Sequence, residues 1–322
     1  MDIKRTFSEL NTLTGQPLEA RLYGPAVGEM KQIVIVIHGM AEYSDRYLEL
    51  AQRLTAEGIG VLLFDLPGHG KRARESLTLG HFADRNGDTF VLADIHALIR
   101  EVMAAYPEQT FVLFGHSMGS MIARCLMSED MHGFTACVFT GTIGKNATLS
   151  PGRFLARVIS AIKGPRHRSP LMNRLMLMNY GKLAKDNAWL SRDVTLVDRY
   201  NADPLCGFSF TARALGDLLT WATKINKAKT LDRISRKARY LFISGDQDPI
   251  GNNGKGIRWL ARELKKRQRS VEVVLLEDSR HEVFNELNKD DAYEALLTFL
   301  GCKPKEIINR DDAFQEEAND HH

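Results

Sequence analysis

The sequence contains few cysteines, and they are widely separated. The four are Cys125, Cys137, Cys206 and Cys302, and no two of them form a C-x-x-C pair. Zinc sites and disulfide frameworks need closely spaced or regularly paired cysteines. We therefore expect neither in this protein, and we expect its thiols to be reduced, as thiols are in the cytoplasm.

Long apolar runs and an excess of one charge are also missing. No stretch reaches the roughly eighteen apolar residues that a membrane-spanning helix requires, and residues 1–10 are polar and acidic where a signal peptide is apolar. The formal net charge is +3, which is too small to indicate a nucleic acid as partner. These absences predict a soluble, cytoplasmic protein that binds no nucleic acid. The oligomeric state stays unknown at this stage.

What the chain of 322 residues does contain is an alternation of short apolar strands and amphipathic helices. The predicted strands are residues 33–37, 61–64, 111–114, 136–142, 240–244 and 271–276, and the predicted helices include 47–57, 90–106, 253–266 and 291–300. This alternation predicts an α/β fold, with an open, mostly parallel sheet and helices on both faces. A hairpin is expected before the first of these strands, at residues 12–23.

The strand at 111–114 leads into Gly115-His116-Ser117-Met118-Gly119, which fits the G-x-S-x-G nucleophile elbow. So sharp a turn leaves no room for a Cβ on either side of the serine, and residues 121–127 continue with helical apolar spacing. This context predicts Ser117 as a nucleophile. The alternative is an ordinary Gly-Ser turn that carries no chemistry.

A serine hydroxyl at neutral pH needs a base, and the base needs an orienting acid. His281 lies in the loop after the last predicted strand and is the candidate base. Asp246 and Asp248 both lie in the loop after the preceding strand. The order serine, acid, histidine is that of the α/β-hydrolase fold. The residues alone leave the choice between Asp246 and Asp248 open.

Two other strand ends carry loops that contain glycine. Gly39 follows the strand at 33–37, where a turn can direct a backbone amide towards a ligand above the sheet, as an oxyanion hole requires. The alternative is that Gly39 only makes a turn. His69 lies in the loop at 65–70, and we expect it to be a hydrogen-bonding loop residue because nothing ties it to Ser117.

The alternation stops between residues 144 and 233, where helical segments are interrupted by proline. We interpret 144–233 as a helical lid inserted between two parts of one core, 1–143 and 234–304, with 305–322 as a polar tail. Residues 151–185 contain eight Lys or Arg side chains, interleaved with apolar ones, and no Asp or Glu. Such a surface suits an amphiphile or transient contact with a membrane surface. The alternative is that the apolar residues are core and the basic ones a solvated face.

Taken together, these motifs resemble the monoacylglycerol lipase/lysophospholipase family, also described as serine aminopeptidase-like hydrolases. The resemblance covers about residues 15–302 and rests on five motifs in family order: His38-Gly39-Met40-Ala41-Glu42 with Arg46-Tyr47, Asp65-Leu66-Pro67-Gly68-His69-Gly70, Gly115-His116-Ser117-Met118-Gly119-Ser120, Gly245-Asp246-Gln247-Asp248-Pro249 and Arg280-His281-Glu282. The one departure is Leu66-Pro67, where the family more often has a basic residue, and we do not expect it to alter the chemistry.

The resemblance implies roles for five residues. Ser117 would be the nucleophile, Asp248 rather than Asp246 the acid, and His281 the base. The backbone amides of Met40 and Met118 would form the oxyanion hole. No metal or organic cofactor is implied.

The implied reaction is hydrolysis of a carboxylic ester through an acyl-enzyme, most readily of a monoacyl lipid such as a lysophospholipid or a monoacylglycerol. Two alternatives use the same triad, an esterase for small esters and an amidase for short peptides. The basic lid speaks against the amidase, which needs an acidic group to bind a free amine. A non-catalytic scaffold is disfavoured because no triad residue or elbow glycine is missing.

Overall fold

The structure is a computed structural model that describes residues 1–8, 12–129, 131, 133–145 and 149–302. Within the last of these ranges, residues 177–181 are described by their backbone only. The expected tail at 305–322 lies outside the described residues. All four cysteines are free thiols in the structure. None of the helices in the described ranges has the length and apolar character needed to cross a membrane.

The described residues form one sheet of eight strands: β1 (Asp2–Phe7), β2 (Ala20–Gly24), β3 (Gln32–Ile37), β4 (Ile59–Phe64), β5 (Thr110–His116), β6 (Phe134–Thr140), β7 (Arg239–Gly245) and β8 (Ser270–Leu276). Their order across the sheet is β1-β2-β4-β3-β5-β6-β7-β8. The strands from β3 to β8 pair in parallel, whereas β1 with β2 and β2 with β4 are antiparallel. The mostly parallel sheet expected from the sequence is confirmed.

The helices lie on both faces of this sheet. They are α1 (Leu48–Ala56), α2 (Gly70–Glu75), α3 (Gly87–Ala105), α4 (Met118–Met127), α5 (Leu149–Lys163), α6 (Pro170–Leu177), α7 (Val194–Ala202), α8 (Ala212–Lys224), α9 (Ala228–Arg233), α10 (Lys255–Lys266) and α11 (Lys289–Leu300), with 3-10 helices at Ser44–Tyr47, Met178–Asn187 and Val283–Asn285. Apolar residues of α1 and α11 cover one face, and those of α3, α4, α8 and α10 cover the other.

Strand β3 shows why the central strands are continuously apolar. Ile33 and Ile35 belong to the hydrophobic cluster under α3 and α4, while Val34 and Val36 belong to the cluster under α1 and α11. Successive side chains of a strand point to opposite faces, so a strand covered on both sides must be apolar at every position. The carboxyl ends of the parallel strands consequently meet at one edge, where the predicted site residues lie.

The segment 144–233 contains α5 to α9 and no strand in its described residues. Its later part packs on the core, because α8 contacts α3 and α4 as well as α5. The buried indole of Trp221 on α8 donates a hydrogen bond to the carbonyl of Asp88 at the start of α3 (2.9 Å). The lid boundaries at 144 and 233 stay predictions, and α8 is shared with the core.

The expected hairpin at residues 12–23 is wrong. Strand β2 pairs with β1 instead, and the turn between them is held by α3. The carboxylate of Asp94 on α3 accepts hydrogen bonds from the amide of Leu13 (2.6 Å) and from the hydroxyl of Thr14 (2.6 Å). Strand β1 was not predicted because five of its six residues are exposed and give no apolar signal.

Candidate active site

Ser117 lies at the sharp turn between β5 and α4. Its backbone has φ 51° and ψ −117°, a left-handed conformation that non-glycine residues seldom adopt. A Cβ at Gly115 would come within 2.7 Å of the carbonyl oxygen of Gly119, and a Cβ at Gly119 within 2.0 Å of that of Ile37. Both glycines are therefore required by close backbone packing, and the turn has the geometry of a nucleophile elbow.

His281 is paired with Asp248 and not with Asp246. The imidazole Nδ1 lies 3.0 Å from Asp248 Oδ2, and both side chains are buried. Asp248 Oδ1 accepts a hydrogen bond from the amide of Ile250 (2.8 Å), which fixes the orientation of the carboxylate. Asp246 has a buried Oδ1 without a hydrogen-bond partner among the described residues. The structure thus brings His281 together with Asp248, the aspartate that the resemblance favours.

The surroundings of His281 suit a base. Nδ1–H donates to Asp248 in the neutral tautomer, which leaves a lone pair on Nε2, and this nitrogen is buried with no protein partner in the described part of the chain. Burial would lower the pKa of His281, but the charge and hydrogen bond of Asp248, with smaller effects of Glu282 and Glu42, raise it above its usual value. The ring is thereby prepared to take up a proton.

Three neighbours hold the His281 ring in place. Its centroid lies 4.8 Å from that of His116 and 4.8 Å from that of Trp189. Gly141 has φ 56°, and a Cβ there would lie 2.5 Å from His281 Cε1, so glycine makes room for the ring. The residue before Gly141 is Thr140, whose carbonyl accepts the amide of Ser117 (2.9 Å). The Ser117 turn and the His281 ring therefore lie against the same short segment.

The segment 144–233 supports the histidine loop through hydrogen bonds that its backbone carbonyls accept. The amide of His281 donates to the carbonyl of Trp189 (3.3 Å), and that of Glu282 donates to the carbonyl of Leu190 (2.8 Å). The guanidinium of Arg280 donates to the carbonyl of Ala188 (2.8 Å). Sequence reasoning missed this contact, because it joins segments about ninety residues apart and leaves no local pattern.

The loop after β3 carries the amide of Met40, one of the two predicted oxyanion donors. The amide of Gly39 donates to Glu42 Oε1, and the amide of Ala41 donates to His69 Nε2 (3.3 Å). Among the described residues, no hydrogen bond uses the amide of Met40. The amide of Met118, the first residue of α4, has no intrahelical acceptor either. The amides of Met40 and Met118 are thus uncommitted among the described residues, and their role as oxyanion donors stays a prediction.

His69 is a loop residue, as the sequence predicts. Its Nδ1 lies 3.0 Å from the carbonyl of Pro67, while Nε2 accepts the amide of Ala41. Burial, together with the neighbouring His38, lowers the pKa of His69 well below its usual value. A neutral ring is required to accept the Ala41 amide, so His69 shapes the loop and takes no part in proton transfer.

Other features near the site have no role in the proposed chemistry. A cleft of about 270 Å³ opens beside the loop after β3, and its walls include Glu19, Arg21, Asp45, Asp65 and Lys71. Charges of both signs make it unsuited to an acyl chain. In the ranges that the structure describes, no group of three or more His, Cys, Asp or Glu side chains is placed to hold a metal ion.

Comparisons with known proteins give the following matches. The model of the family described as "Serine aminopeptidase, S33" matches residues 28–288. Human monoglyceride lipase is 29% identical over 281 residues, 85% of this chain and 82% of its own. Phospholipase YtpA of Bacillus subtilis is 24% identical over 83% of this chain and 94% of its own. A solved thermostable carboxyl esterase from Bacillus coagulans has a TM-score of 0.85 and 25% identity, covering 92% of this chain and 97% of its own.

Proposed function

The chain belongs to the serine aminopeptidase S33 family and has an α/β-hydrolase fold, and on that premise we propose that it hydrolyses carboxylic esters of monoacyl lipids. In this proposal Ser117 is the nucleophile, His281 the general base and Asp248 the acid that orients it. The observation that carries the proposal is the buried His281–Asp248 pair. Among the described residues its Nε2 has no protein partner, and its ring lies against the same Thr140-Gly141 segment that accepts the amide of Ser117.

The first half-reaction forms an acyl-enzyme. His281 Nε2 takes the proton of the Ser117 hydroxyl as the oxygen attacks the ester carbonyl. Asp248 holds the ring in the tautomer that leaves Nε2 free and stabilises the imidazolium that forms. His281 then returns the proton to the departing alcohol. In the second half-reaction His281 deprotonates water, which releases the fatty acid from Ser117.

The negative charge of the tetrahedral intermediate falls on the former carbonyl oxygen. The amides of Met40 and Met118 are proposed to donate to it. Both are backbone groups held by neighbouring hydrogen bonds, so they need little reorganisation when the charge develops. Losing one such donor typically lowers the rate by about 100- to 1,000-fold.

The substrate class is supported by the relatives and by the lid. One relative is a monoglyceride lipase and another a phospholipase, and the structural neighbour is a carboxyl esterase. On α5, Phe154, Val158 and Ile162 are 71%, 36% and 73% exposed. They are spaced four residues apart and therefore form one apolar stripe on the helix surface. Exposed apolar surface of this kind suits a substrate with a fatty acyl chain.

We further propose transient contact of this stripe with a lipid surface. Leu171 and Leu175 on α6 are also exposed (55% and 37%), and the eight basic residues between 151 and 185 have no acidic residue among them. Apolar side chains enter the interface while Lys and Arg bind anionic headgroups. A cytoplasmic membrane face is proposed because all four cysteines are free thiols.

Amide hydrolysis of short peptides is the second candidate, because the matched family is described as a serine aminopeptidase. A substrate with a free amine needs an uncommitted carboxylate near the nucleophile. The carboxylates of Glu42 and Glu282 are close to the site, but both are paired with Arg46. This pairing favours the ester reaction.

The test is hydrolysis of p-nitrophenyl esters with acyl chains from two to sixteen carbons, together with monoolein and lysophosphatidylcholine. Wild type and Ser117→Ala are assayed side by side, and an amino-acid p-nitroanilide is the amide control. We expect turnover that is lost in Ser117→Ala and is highest at medium or long acyl chains. Activity on acetate alone would indicate a small-ester esterase, and turnover of the anilide alone would indicate the amidase.

A further inference from the structure

A chain of buried ion pairs connects the loop after β3 with the loop after β8. Arg46 donates through Nη1 to Glu42 Oε2 (2.6 Å). Nη1 and Nη2 also donate to the two carboxylate oxygens of Glu282, both at 2.7 Å. The side chains of Arg46, Glu42 and Glu282 are only 12%, 4% and 5% exposed, so solvent screens them weakly.

Each end of this chain adjoins a group that the proposed reaction uses. Glu42 also accepts the amide of Gly39, and Gly39 directly precedes Met40. Glu282 directly follows His281. A displacement of the Glu42 carboxylate would therefore shift the proposed oxyanion donor, and a displacement of the Glu282 carboxylate would shift the base.

The sheet alone would hold the two loops far apart. Between β3 and β8 lie β5, β6 and β7, which corresponds to about 19 Å at roughly 4.8 Å per strand. Arg46 nevertheless joins the loops directly. A guanidinium is suited to this task because its planar fork binds a carboxylate through two bonds in a fixed geometry, whereas lysine offers a point charge on a flexible stem.

The guanidinium is also held from the side of the lid. Its central carbon lies 5.0 Å from the ring centroid of Tyr200 on α7. The hydroxyl of Tyr200 donates to the carbonyl of Ala41, in the same loop as Met40 (3.1 Å). Arg46 is thereby fixed by three segments, two of which carry proposed reacting groups.

From this geometry we infer that Arg46 is a positioning residue for the reaction, which holds the oxyanion loop and the histidine loop at one separation. The inference rests on the function proposed for Ser117 and His281. Arg46 does not touch the reacting atoms; it acts through Glu42 on the Met40 amide and through Glu282 on the His281 ring. Donor and base consequently keep their mutual geometry through both half-reactions.

The charge of Glu282 affects the pH dependence of kcat/KM, which a purely structural role of the ion pairs would leave unchanged. The charged or titratable groups around His281 are Asp248 after β7, Glu42 and Arg46 after β3, His116 at the end of β5 and Glu282 on its own loop. Burial would raise the pKa of Glu282, but the charge and hydrogen bonds of Arg46, with smaller effects of His116 and Asn285, hold it well below its usual value, so this carboxylate stays ionised. Its charge raises the pKa of His281. Glu282→Gln should therefore shift the acid limb of kcat/KM to lower pH.

The experiment compares Arg46→Lys and Glu282→Gln with wild type on p-nitrophenyl butyrate, well below each variant's Tm. Arg46→Lys keeps the charge but loses the fork, and we expect kcat to fall by about 10- to 100-fold with KM changed less than about threefold. The matched control is Arg53→Lys. Arg53 pairs with Glu49 and Asp290 and lies over Tyr293, 4.0 Å from its centroid, and none of these partners is a proposed site residue.

Retention of wild-type kcat in Arg46→Lys, a loss confined to KM, or an equal loss in Arg53→Lys would overturn the inference. An unchanged acid limb of kcat/KM in Glu282→Gln would also overturn it.

Labelling of Ser117 by an alkyl fluorophosphonate separates this inference from the proposed function. If wild type is labelled but turns over no ester, the substrate proposal fails, and a labelling rate lower in Arg46→Lys still supports the positioning role. If wild type is neither labelled nor active, both fail.

Discussion

Single residues at the nucleophile turn show how closely backbone packing and chemistry are linked. Ser117 has a left-handed backbone, and the glycines on either side allow main-chain segments to approach within distances that a Cβ would block. Strain of this kind persists only where the surrounding structure over-determines it. Here β3, β5 and α4 together hold the turn. Substitution of its glycines therefore tests whether the turn acts as a nucleophile elbow.

Gly119→Ala is expected to abolish activity and lower the yield of folded protein. The new Cβ would lie 2.0 Å from the carbonyl oxygen of Ile37, which is backbone and cannot move aside. The control is Gly216→Ala on α8, where the nearest atom to the new Cβ is 3.7 Å away. That change should leave activity intact and stabilise the protein by about 0.5–1 kcal/mol. The melting temperature reports the stability of each variant, and hydrolysis of p-nitrophenyl butyrate reports its activity. An active Gly119→Ala variant would contradict the assignment of this turn as a nucleophile elbow.

The pH dependence of kcat/KM should report the protonation of His281. The base must be neutral, and its pKa is raised by Asp248, Glu282 and Glu42. Activity should therefore fall as the pH drops through a midpoint above the ordinary histidine value of about 6.5. Asp248→Asn removes the main raising influence, so the remaining activity should be small and its midpoint lower. A flat profile from pH 5 to pH 8 would exclude His281 as the base.

At the scale of elements, α5 has two different faces. Ala156 and Ser160 are buried against the protein, while Phe154, Val158 and Ile162 are exposed. The helix contacts α8 and so has a fixed orientation towards the core. Its apolar stripe therefore faces solvent in the structure, which gives the proposed lipid contact a defined surface.

The double change Phe154→Ser with Ile162→Ser should weaken binding to vesicles that contain anionic lipid. It should also lower turnover of aggregated monoolein by several-fold, while hydrolysis of dissolved p-nitrophenyl butyrate stays within about twofold of wild type. Val27→Ser is the control, because Val27 is 91% exposed but lies outside the lid. Flotation of the protein with vesicles measures binding. Equal binding by both variants would show that the stripe is not the contact surface.

At the scale of the whole molecule, the inserted segment and the core are not cleanly separable. Helix α8 belongs to the segment by sequence, but its apolar residues join the main core cluster. Arg124 on α4 strengthens this connection, because its guanidinium donates to the carbonyls of Ile143 (3.0 Å) and Ile225 (3.2 Å), near the two ends of the segment. Any movement of this segment relative to the core would therefore have to leave α8 in place.

Trp221→Ala tests whether α8 is part of the core. Trp221 is 1% exposed, and its truncation should lower the free energy of unfolding by about 3–5 kcal/mol in a single cooperative transition. The control is Phe154→Ala, which removes an exposed aromatic side chain of the same segment. It should change the free energy of unfolding by less than about 0.5 kcal/mol. Urea unfolding followed by circular dichroism gives both values. Two separate transitions in Trp221→Ala would instead indicate an independently folding lid that includes α8.

Most of the sheet and part of the site were predictable from local pattern. Strands β3 to β8 were expected because continuous apolar runs mark strands buried on both faces, and Ser117 because its turn demands glycine on either side. The pairing of β2 with β1 was not expected. Strand β1 is mostly exposed, and the turn that joins it to β2 is held by Asp94 on a distant helix.

Local sequence pattern was enough to show which segments are buried, where the chain turns sharply, and that Ser117 and His281 lie at strand ends. These properties depend on neighbouring residues, so periodicity and glycine spacing record them. The residues themselves left Asp246 and Asp248 open, and the folded chain shows that Asp248 contacts His281. It also shows that the amides of Gly39 and Ala41 have acceptors, whereas no acceptor of the Met40 amide lies among the described residues. The same holds for Arg46, which joins two loops more than two hundred residues apart. Such contacts depend on the order of strands in the sheet, which no local pattern encodes.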